Sequence, residues 1–398
     1  MGDPSRVRVT GPLEAYASGF ATELTRVGYR KNSTAEQLRL LAHLSRWLAA
    51  EGLGAAELTP AVGDAFLAAR RALGYTQWLS PRALVPLLQY LRGLGAAPQV
   101  PVGVPSPLEA ILARYRRYLT SERGLTASTA QCYASAVGPF LRKRKAPDDS
   151  LRLEDLGPGD ITAFVVAEVP GRPTGSAKMT VTALRSLLSF LHVEGVIARS
   201  LTSAVPSVSS SRLAGLPKAL NVGQVRQLLA SCDRSTTAGC RDFAILTMLV
   251  RLGLRAGEVA ALELGDIDWR RGEIAVRGKG NRHERLPLPV DVGRAVAAYL
   301  RRGRPTAESR QVFLRVQAPH RTLTSNGVTY VVIRAAHKAG LPRVGSHRLR
   351  HTAATEMLRA GASLSEIGQV LRHRSPLSTA IYAKVDRVAL RGLQAPAH

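Results

Sequence analysis

The stretch from Ser346 to Val385, SHRLRHTAATEMLRAGASLSEIGQVLRHRSPLSTAIYAKV, carries two histidines, an arginine and a tyrosine at spacings suited to work on a phosphate. HRLRHTAATEMLRAG reads as a helix closed by Gly361, on which His347 and Arg350, three apart, share a face. ASLSEIGQVLRH follows, with Ser363 and Glu366 as a capping box and His373 at the helix end. Pro376 stops continuation and leaves Tyr382 on a short segment beyond. Upstream, Arg255 stands at the turn between two helices, an odd place for an unpartnered charge. Glu258, three residues later, can orient it through a carboxylate–guanidinium pair. Lys279 lies at a hairpin tip between two glycines. No Asp/Glu cluster accompanies these residues to hold Mg²⁺ for a two-metal reaction. A metal-free reaction at a phosphodiester needs Arg and His to neutralise the nonbridging oxygens. It also needs a nucleophile, which a tyrosine hydroxyl can supply as a covalent phosphotyrosine. A lysine at a mobile tip can protonate the leaving sugar oxygen.

The elements that must position these groups follow from periodicity. From Val222 the texture is mostly helical with a small sheet. VGQVRQLLASC is a short helix, and RDFAILTMLVRLGL is a nearly continuous apolar helix, hence buried, with Gly253 at its C-terminal end. RAGEVAALEL starts another helix, and GEIAVRGKGNRHERLPLP reads as a β-hairpin. VDVGRAVAAYLRRG is helical, VFLR a short strand, and TSNGVTYVVIRAAHKAG helical. Residues 13 to 95 also read as helices, with Leu38, Leu41, Leu44 and Leu48 on one face, Ser33 or Thr34 as a cap, and Pro86 as a kink or first turn.

Residues 107 to 196 repeat this plan. STAEQ at Ser33 recurs as STAQC at Ser128, Ala65-Phe66 as Ala163-Phe164, and Leu87-Leu88 as Leu187-Leu188. Ordered matches ending at Gly95 and Gly195 suggest a duplicated helical domain. The expected organisation is therefore an N-terminal helical domain over 1–98, its duplicate over 107–205, a Ser/Gly/Pro-rich linker over 206–218 and a C-terminal domain over 219–398. The fold class is mainly α with a small antiparallel sheet.

Charge narrows the class of partner. The chain has 55 Lys plus Arg against 29 Asp plus Glu, a net charge of +26, which points to a polyanion, most often nucleic acid. Codon bias accounts for Arg over Lys but not for the surplus. No run of 18 apolar residues suggests a membrane span, and the N-terminus MGDPSRVRVTG has no signal-peptide core, so a cytoplasmic, nucleoid-associated protein is expected. Cys132, Cys232 and Cys240 match neither a disulfide framework nor a CxxC site and are expected to be reduced and buried. Of the basic run, Arg142, Lys143 and Arg144 are candidate phosphate-backbone contacts.

These motifs resemble the tyrosine recombinase (phage integrase) family over about 170 residues, from Val222 to near Leu393. GLRAGEVAAL resembles the first arginine box, RGKGNRHER the lysine hairpin, HRLRHTAATEML the H-x-L-R-H-T box, and LRHRSPLSTAIYAKV the box of His373 and Tyr382, nine residues apart. Residues 107 to 205 resemble the family's helical core-binding domain. Two departures stand out. Arg372 occupies the position of the usual Gly before His373, and the hairpin is about one residue longer than usual.

The resemblance implies two helical SAM-like DNA-binding domains followed by an α+β catalytic domain. It implies that Tyr382 attacks the scissile phosphate and that Arg255 and Arg350 clamp the nonbridging oxygens. His373 would donate a hydrogen bond to the phosphate, Lys279 would act as general acid, His347 would assist as acid/base, and Glu258 would support Arg255. It further implies double-stranded DNA recombination sites as partner, no cofactor and no metal, and a homo-tetramer on DNA whose tail after Tyr382 docks in trans. Alternatives are type IB topoisomerase-like relaxation of DNA and a non-catalytic DNA-binding regulator. Read without the family, Tyr382 would be a packing residue and Lys279 a solvated turn lysine. His347 and His351 have metal-ligand spacing, but Arg348 stands where an HExxH glutamate would be, so His351 is expected to make a structural hydrogen bond.

Overall fold

The computed structural model describes residues 3–99, 105–208, 219–278 and 283–372, together with Thr379 and Tyr382. Its contacts divide the chain into two compact units, residues 101–214 and the remainder. None of the described helices is long and apolar enough to cross a membrane.

The first helices are α1 (Ala17–Arg26), α2 (Lys31–Ala50), α3 (Pro60–Ala72) and α4 (Pro81–Gly93). Their three-and-four-spaced apolar residues, among them Phe20, Leu41, Leu44, Phe66, Leu87 and Leu91, close one core. Thr59 caps α3 by accepting the Val62 N–H at 3.3 Å. The cap expected at Ser33 or Thr34 is not used. The chain turns helical at Lys31, after an extended Arg30, which leaves Thr34 buried inside the first turns. α4 starts at Pro81 and runs on through Pro86 to Gly93.

The second unit has the same order: α5 (Pro107–Ser121), α6 (Ala127–Lys143), α7 (Pro158–Glu168) and α8 (Thr174–Val193). Phe164, Leu184, Leu187 and Leu191 are buried where Phe66, Leu84, Leu87 and Leu91 are buried in the first set. Both sets end alike. Gly95 and Gly195 each have φ of 71°, and the next residue donates its N–H to the Leu91 or Leu191 carbonyl at 2.9 Å.

A Cβ at Gly195 would meet nothing within 4 Å, so Ala there adds only the strain of the left-handed backbone. Gly195→Ala should therefore lower the unfolding free energy by about 1–2 kcal/mol in urea titration. Gly159→Ala, on α7 with equally open space, should be neutral or stabilising. Equal effects at the two sites would contradict this account. Cys132, on α6, is exposed, and Cys232 is only half-buried, contrary to expectation; Cys240 is buried and all three are free. Cys132 faces outward because Ala130, Ala134 and Val137 occupy the core face of that helix.

The C-terminal part holds α9 (Val222–Ala230), α10 (Thr237–Arg251), α11 (Ala256–Ala261), α12 (Val290–Arg302), α13 (Ser325–Lys338), α14 (Ser346–Arg359) and α15 (Leu364–Val370). β1 (Ile267–Asp268), β2 (Glu273–Arg277) and β3 (His283–Pro287) form an antiparallel sheet in that order, with Ala275 opposite Arg285. Ile274 and Val276 alternate into the core. The near-continuous apolar helix α10 is central, packing on α12, α13 and α14. Residues 312–315 do not form the expected strand. Val312 donates to the Leu262 carbonyl at 2.8 Å, and only isolated bridges, Glu263 with Gln311 and Leu314 with Thr322, flank it. α15 ends at Val370, three residues before His373, because Arg372 takes a φ of 55° that a helix cannot continue.

The first helices also touch the loop at 306–321. The His320 N–H donates to the Val27 carbonyl at 3.2 Å, and Arg26 pairs with Glu308 at 3.3 Å. The His320 ring lies against Gly28, whose φ of 95° favours glycine and where a Cβ would stand 2.0 Å from Cδ2 and force the ring to shift.

Candidate active site

A cleft of about 440 Å³ is lined by Arg255, Glu258, Arg277, Gly278, Ser325, His347 and Arg350, among others. Two helices begin at its wall: α13 at Ser325, capped by Thr324, and α14 at Ser346. Thr329 and Ser346 hydrogen-bond through their hydroxyls at 3.1 Å and tie these starts together. Helix N-termini present unpaired N–H groups and partial positive charge, so the wall suits an anion before any side chain is counted.

Arg255 precedes α11 with an extended backbone. Its N–H donates to Glu258 Oε2 at 2.8 Å and its Nη1 donates to Oε1 at 2.6 Å. The Glu258 side chain is buried, while that of Arg255 is 41% exposed, so the carboxylate holds the stem and the guanidinium reaches the cleft. Arg350 is buried. Its Nη1 donates to the Gly253 carbonyl at 2.6 Å, and its Nη2 donates to the Leu371 carbonyl. Burial, and then the charge of Arg255, pull its pKa down to about 10, which still leaves it a cation at neutral pH.

Tyr382 packs with Ala354, Ile367 and Leu371 beneath α14 and α15. Its hydroxyl lies 2.7 Å from His351 Nδ1, and the His351 ring stacks edge-on against His347 at 4.4 Å between centroids. Burial pushes the Tyr382 phenol up to about 12, so it keeps its proton at neutral pH. Burial pushes His351 down to about 4, so that ring is neutral, and as its Nε2–H tautomer it accepts a hydrogen bond from the phenol at Nδ1.

Residues 218–388 match the phage integrase family model. The integrase/recombinase y4rA of Sinorhizobium fredii is 42% identical over 394 residues, covering 97% of this chain and 95% of that protein. The chain belongs to the phage integrase family. It is a tyrosine-type site-specific recombinase. Tyrosine recombinase XerD of Mycobacterium tuberculosis is 32% identical over 308 residues, 72% of this chain and 96% of that protein. Among solved structures, the XerH site-specific recombinase bound to a palindromic difH substrate, a post-cleavage complex, superposes with a TM-score of 0.57 at 20% identity. That match covers 73% of this chain and 97% of XerH, and it speaks for the fold.

Within this recombinase, Arg255, Glu258, His347 and Arg350 share one cleft, and Tyr382 is docked one helical turn away through His351. Lys279 and His373 lie outside the described residues. Their neighbours are placed, since Gly278 lines the cleft and the Arg372 carbonyl accepts from Arg255 Nη2 at 3.2 Å. In the other unit, Lys143 pairs with Glu168 at 3.0 Å and Arg144 with Asp160 at 2.9 Å, so both help pack α6 against α7; Arg142 is exposed.

In the sequence reading His347 has an assisting acid/base role and His351 a structural hydrogen bond; in the structure the group bonded to the Tyr382 hydroxyl is His351. The i,i+4 spacing of the two histidines was the available signal, because it puts them on one face of α14. His347 is lowered below 6.5 as well, by desolvation and then by Arg350 and Arg255. Unfolded histidine protonates near about 6.5, but folded His351 does so only near 4, so the unfolded chain binds more protons in between and stability falls as pH drops through that window. His351→Gln should lose less melting temperature between pH 7 and pH 5 than the wild type. Parallel melting curves would refute this.

Proposed function

We propose that this recombinase cuts and rejoins double-stranded DNA at specific sites through a 3′-phosphotyrosine on Tyr382. The observation that carries the proposal is the convergence of Arg255, Arg350 and His347 on one cleft, with the Tyr382 hydroxyl hydrogen-bonded one turn along α14. Arg255 and Arg350 neutralise the nonbridging oxygens as the pentacoordinate charge builds. The Tyr382 oxygen bonds to phosphorus, its proton passes to His351 Nδ1 while His347 assists beside it, and the bond from phosphorus to the 5′ oxygen breaks. Lys279 protonates that oxygen, and His373 donates to the phosphate. Because the phosphotyrosine conserves the bond energy, a second 5′ hydroxyl reverses the step without ATP. No cofactor enters this scheme.

Tyr382 is docked in a small apolar cluster, so it must shift towards the cleft before it attacks. We propose that the tail after Tyr382 docks on a neighbouring subunit of a DNA-bound tetramer. The tail lies outside the described residues. The shared helix order and matched glycine ends of α1–α4 and α5–α8 support residues 1–98 as a duplicate of 107–205. In that reading 206–218 links them to a catalytic domain over 219–398.

The test is a suicide substrate nicked beside the scissile phosphate, which traps covalent protein–DNA. Adduct formation with exchange of partners between two sites is the expected result. No adduct would sink the proposal, and relaxation of supercoils by a monomer without strand exchange would favour a topoisomerase.

A further inference from the structure

Arg372 stands in an unusual place for an arginine. Its backbone φ is 55°, where a residue with a Cβ is disfavoured, and its side chain is only 4% exposed. Nη2 donates to Glu258 Oε2 at 2.7 Å, the oxygen that also accepts the Arg255 backbone N–H. Nε is buried and faces Glu284 Oε2, on β3, at 3.9 Å, too far for a hydrogen bond. Glu258 is therefore shared: Oε1 takes the side chain of Arg255 and Oε2 takes that of Arg372. A backbone outlier retained at an active site is a reason to look for a role.

We propose that Arg372 is a positioning residue for strand cleavage, one that holds Glu258 Oε2 and thereby keeps Arg255 open to the phosphate; this rests on the phosphate-clamping role proposed for Arg255. Among the described residues, two of the five N–H donors of Arg255 are engaged, one by Glu258 Oε1 and one by the Arg372 carbonyl. With Oε2 occupied, Glu258 holds Arg255 by a single side-chain bond. Without Arg372, Oε2 keeps only the Arg255 backbone N–H, and the carboxylate can turn to take Arg255 in the two-bond fork that carboxylates and guanidiniums prefer. The fork draws the guanidinium onto Glu258 and away from the cleft. The same residue reaches three parts of the machinery: the turn before His373, the carboxylate behind Arg255, and the β3 arm of the lysine hairpin.

Arg372→Met and Arg372→Lys decide the matter, because both keep a Cβ and a long stem at the same φ and only Lys can still donate to Oε2. On a suicide substrate under single-turnover conditions, the Met variant should form adduct roughly a hundredfold more slowly, with DNA affinity unchanged. The Lys variant should stay within about threefold of wild type, since a point charge fills the same oxygen. A Met variant as fast as wild type, or a Lys variant as slow as Met, would overturn the proposal. Should Met not fold, Arg372→Gly serves in its place, since glycine suits this φ and carries no donor. A thermal cycle of Arg372→Met, Glu258→Gln and the double variant separates this inference from the recombinase reading. Strong non-additivity is expected even if DNA is never cleaved, and additive melting shifts would show that Arg372 does not grip Glu258.

Discussion

Tyr382→Phe should fold as the wild type does, bind DNA with the same affinity, and form no covalent adduct. The ring packs against Ala354, Ile367 and Leu371, and phenylalanine keeps those contacts. What is lost is the hydroxyl and its bond to His351 Nδ1. One neutral hydrogen bond contributes about 1 kcal/mol, and half-buried His351 can turn to water instead, so the melting temperature should move little. The chemical effect is of another scale. Deleting a covalent nucleophile removes the whole two-step route, a loss on the order of 10⁶-fold. An SDS-stable protein–DNA band from the Phe variant at wild-type yield would place the nucleophile elsewhere.

Arg350 carries the second large expectation, and here fold and chemistry are joined. Its guanidinium is held by the carbonyls of Gly253 and Leu371, which follow α10 and α15, two helices that contact α14. Arg350→Ala leaves both carbonyls without that donor, at about 1–3 kcal/mol each, which is a large share of a total stability of roughly 5–15 kcal/mol. It also removes a charge from the cleft proposed to hold the phosphate. Arg350→Lys separates the two effects. The ammonium keeps the charge and bonds one carbonyl, so the protein should stay folded with about 1–3 kcal/mol lost in urea titration. Adduct formation should still fall by roughly 10²–10³-fold, because one point donor cannot both anchor the turn and reach the phosphate. Wild-type adduct rates in the Lys variant would show that geometry at this position does not matter.

Much of the site was legible because its logic is local. Glu258 three residues after Arg255 reads as a carboxylate–guanidinium pair, and the structure forms it through Oε1 while Oε2 accepts the Arg255 backbone N–H. His347 and Arg350 share a face by helical phase, and the Ser363–Glu366 box is present as read. The hairpin arms follow from alternation about Gly278–Lys279–Gly280. Elsewhere the local signals misled. VFLR has the composition of a strand, yet those residues find single bridges because the neighbouring chain offers no longer edge. Ser33 and Thr34 look like caps, yet α2 starts earlier at Lys31. Neither linker composition nor periodicity showed that α1 would lean on the 306–321 loop through Val27 and Gly28.

The residue types, the net charge of +26 and the helical spacings determined which chemistry is available: cations for a phosphate, a phenol to attack it, and helices to carry both. Charge, nucleophilicity and helical phase are properties of a residue and its near neighbours, so they can be read along the chain. Tertiary structure decided who touches whom. Arg350 meets the Gly253 carbonyl 97 residues away, Arg372 meets Glu258 across 114, and Tyr382 meets His351 across 31. Those pairings arise where buried groups must find partners once water is excluded, and which partner lies within reach depends on how α10, α14 and α15 pack.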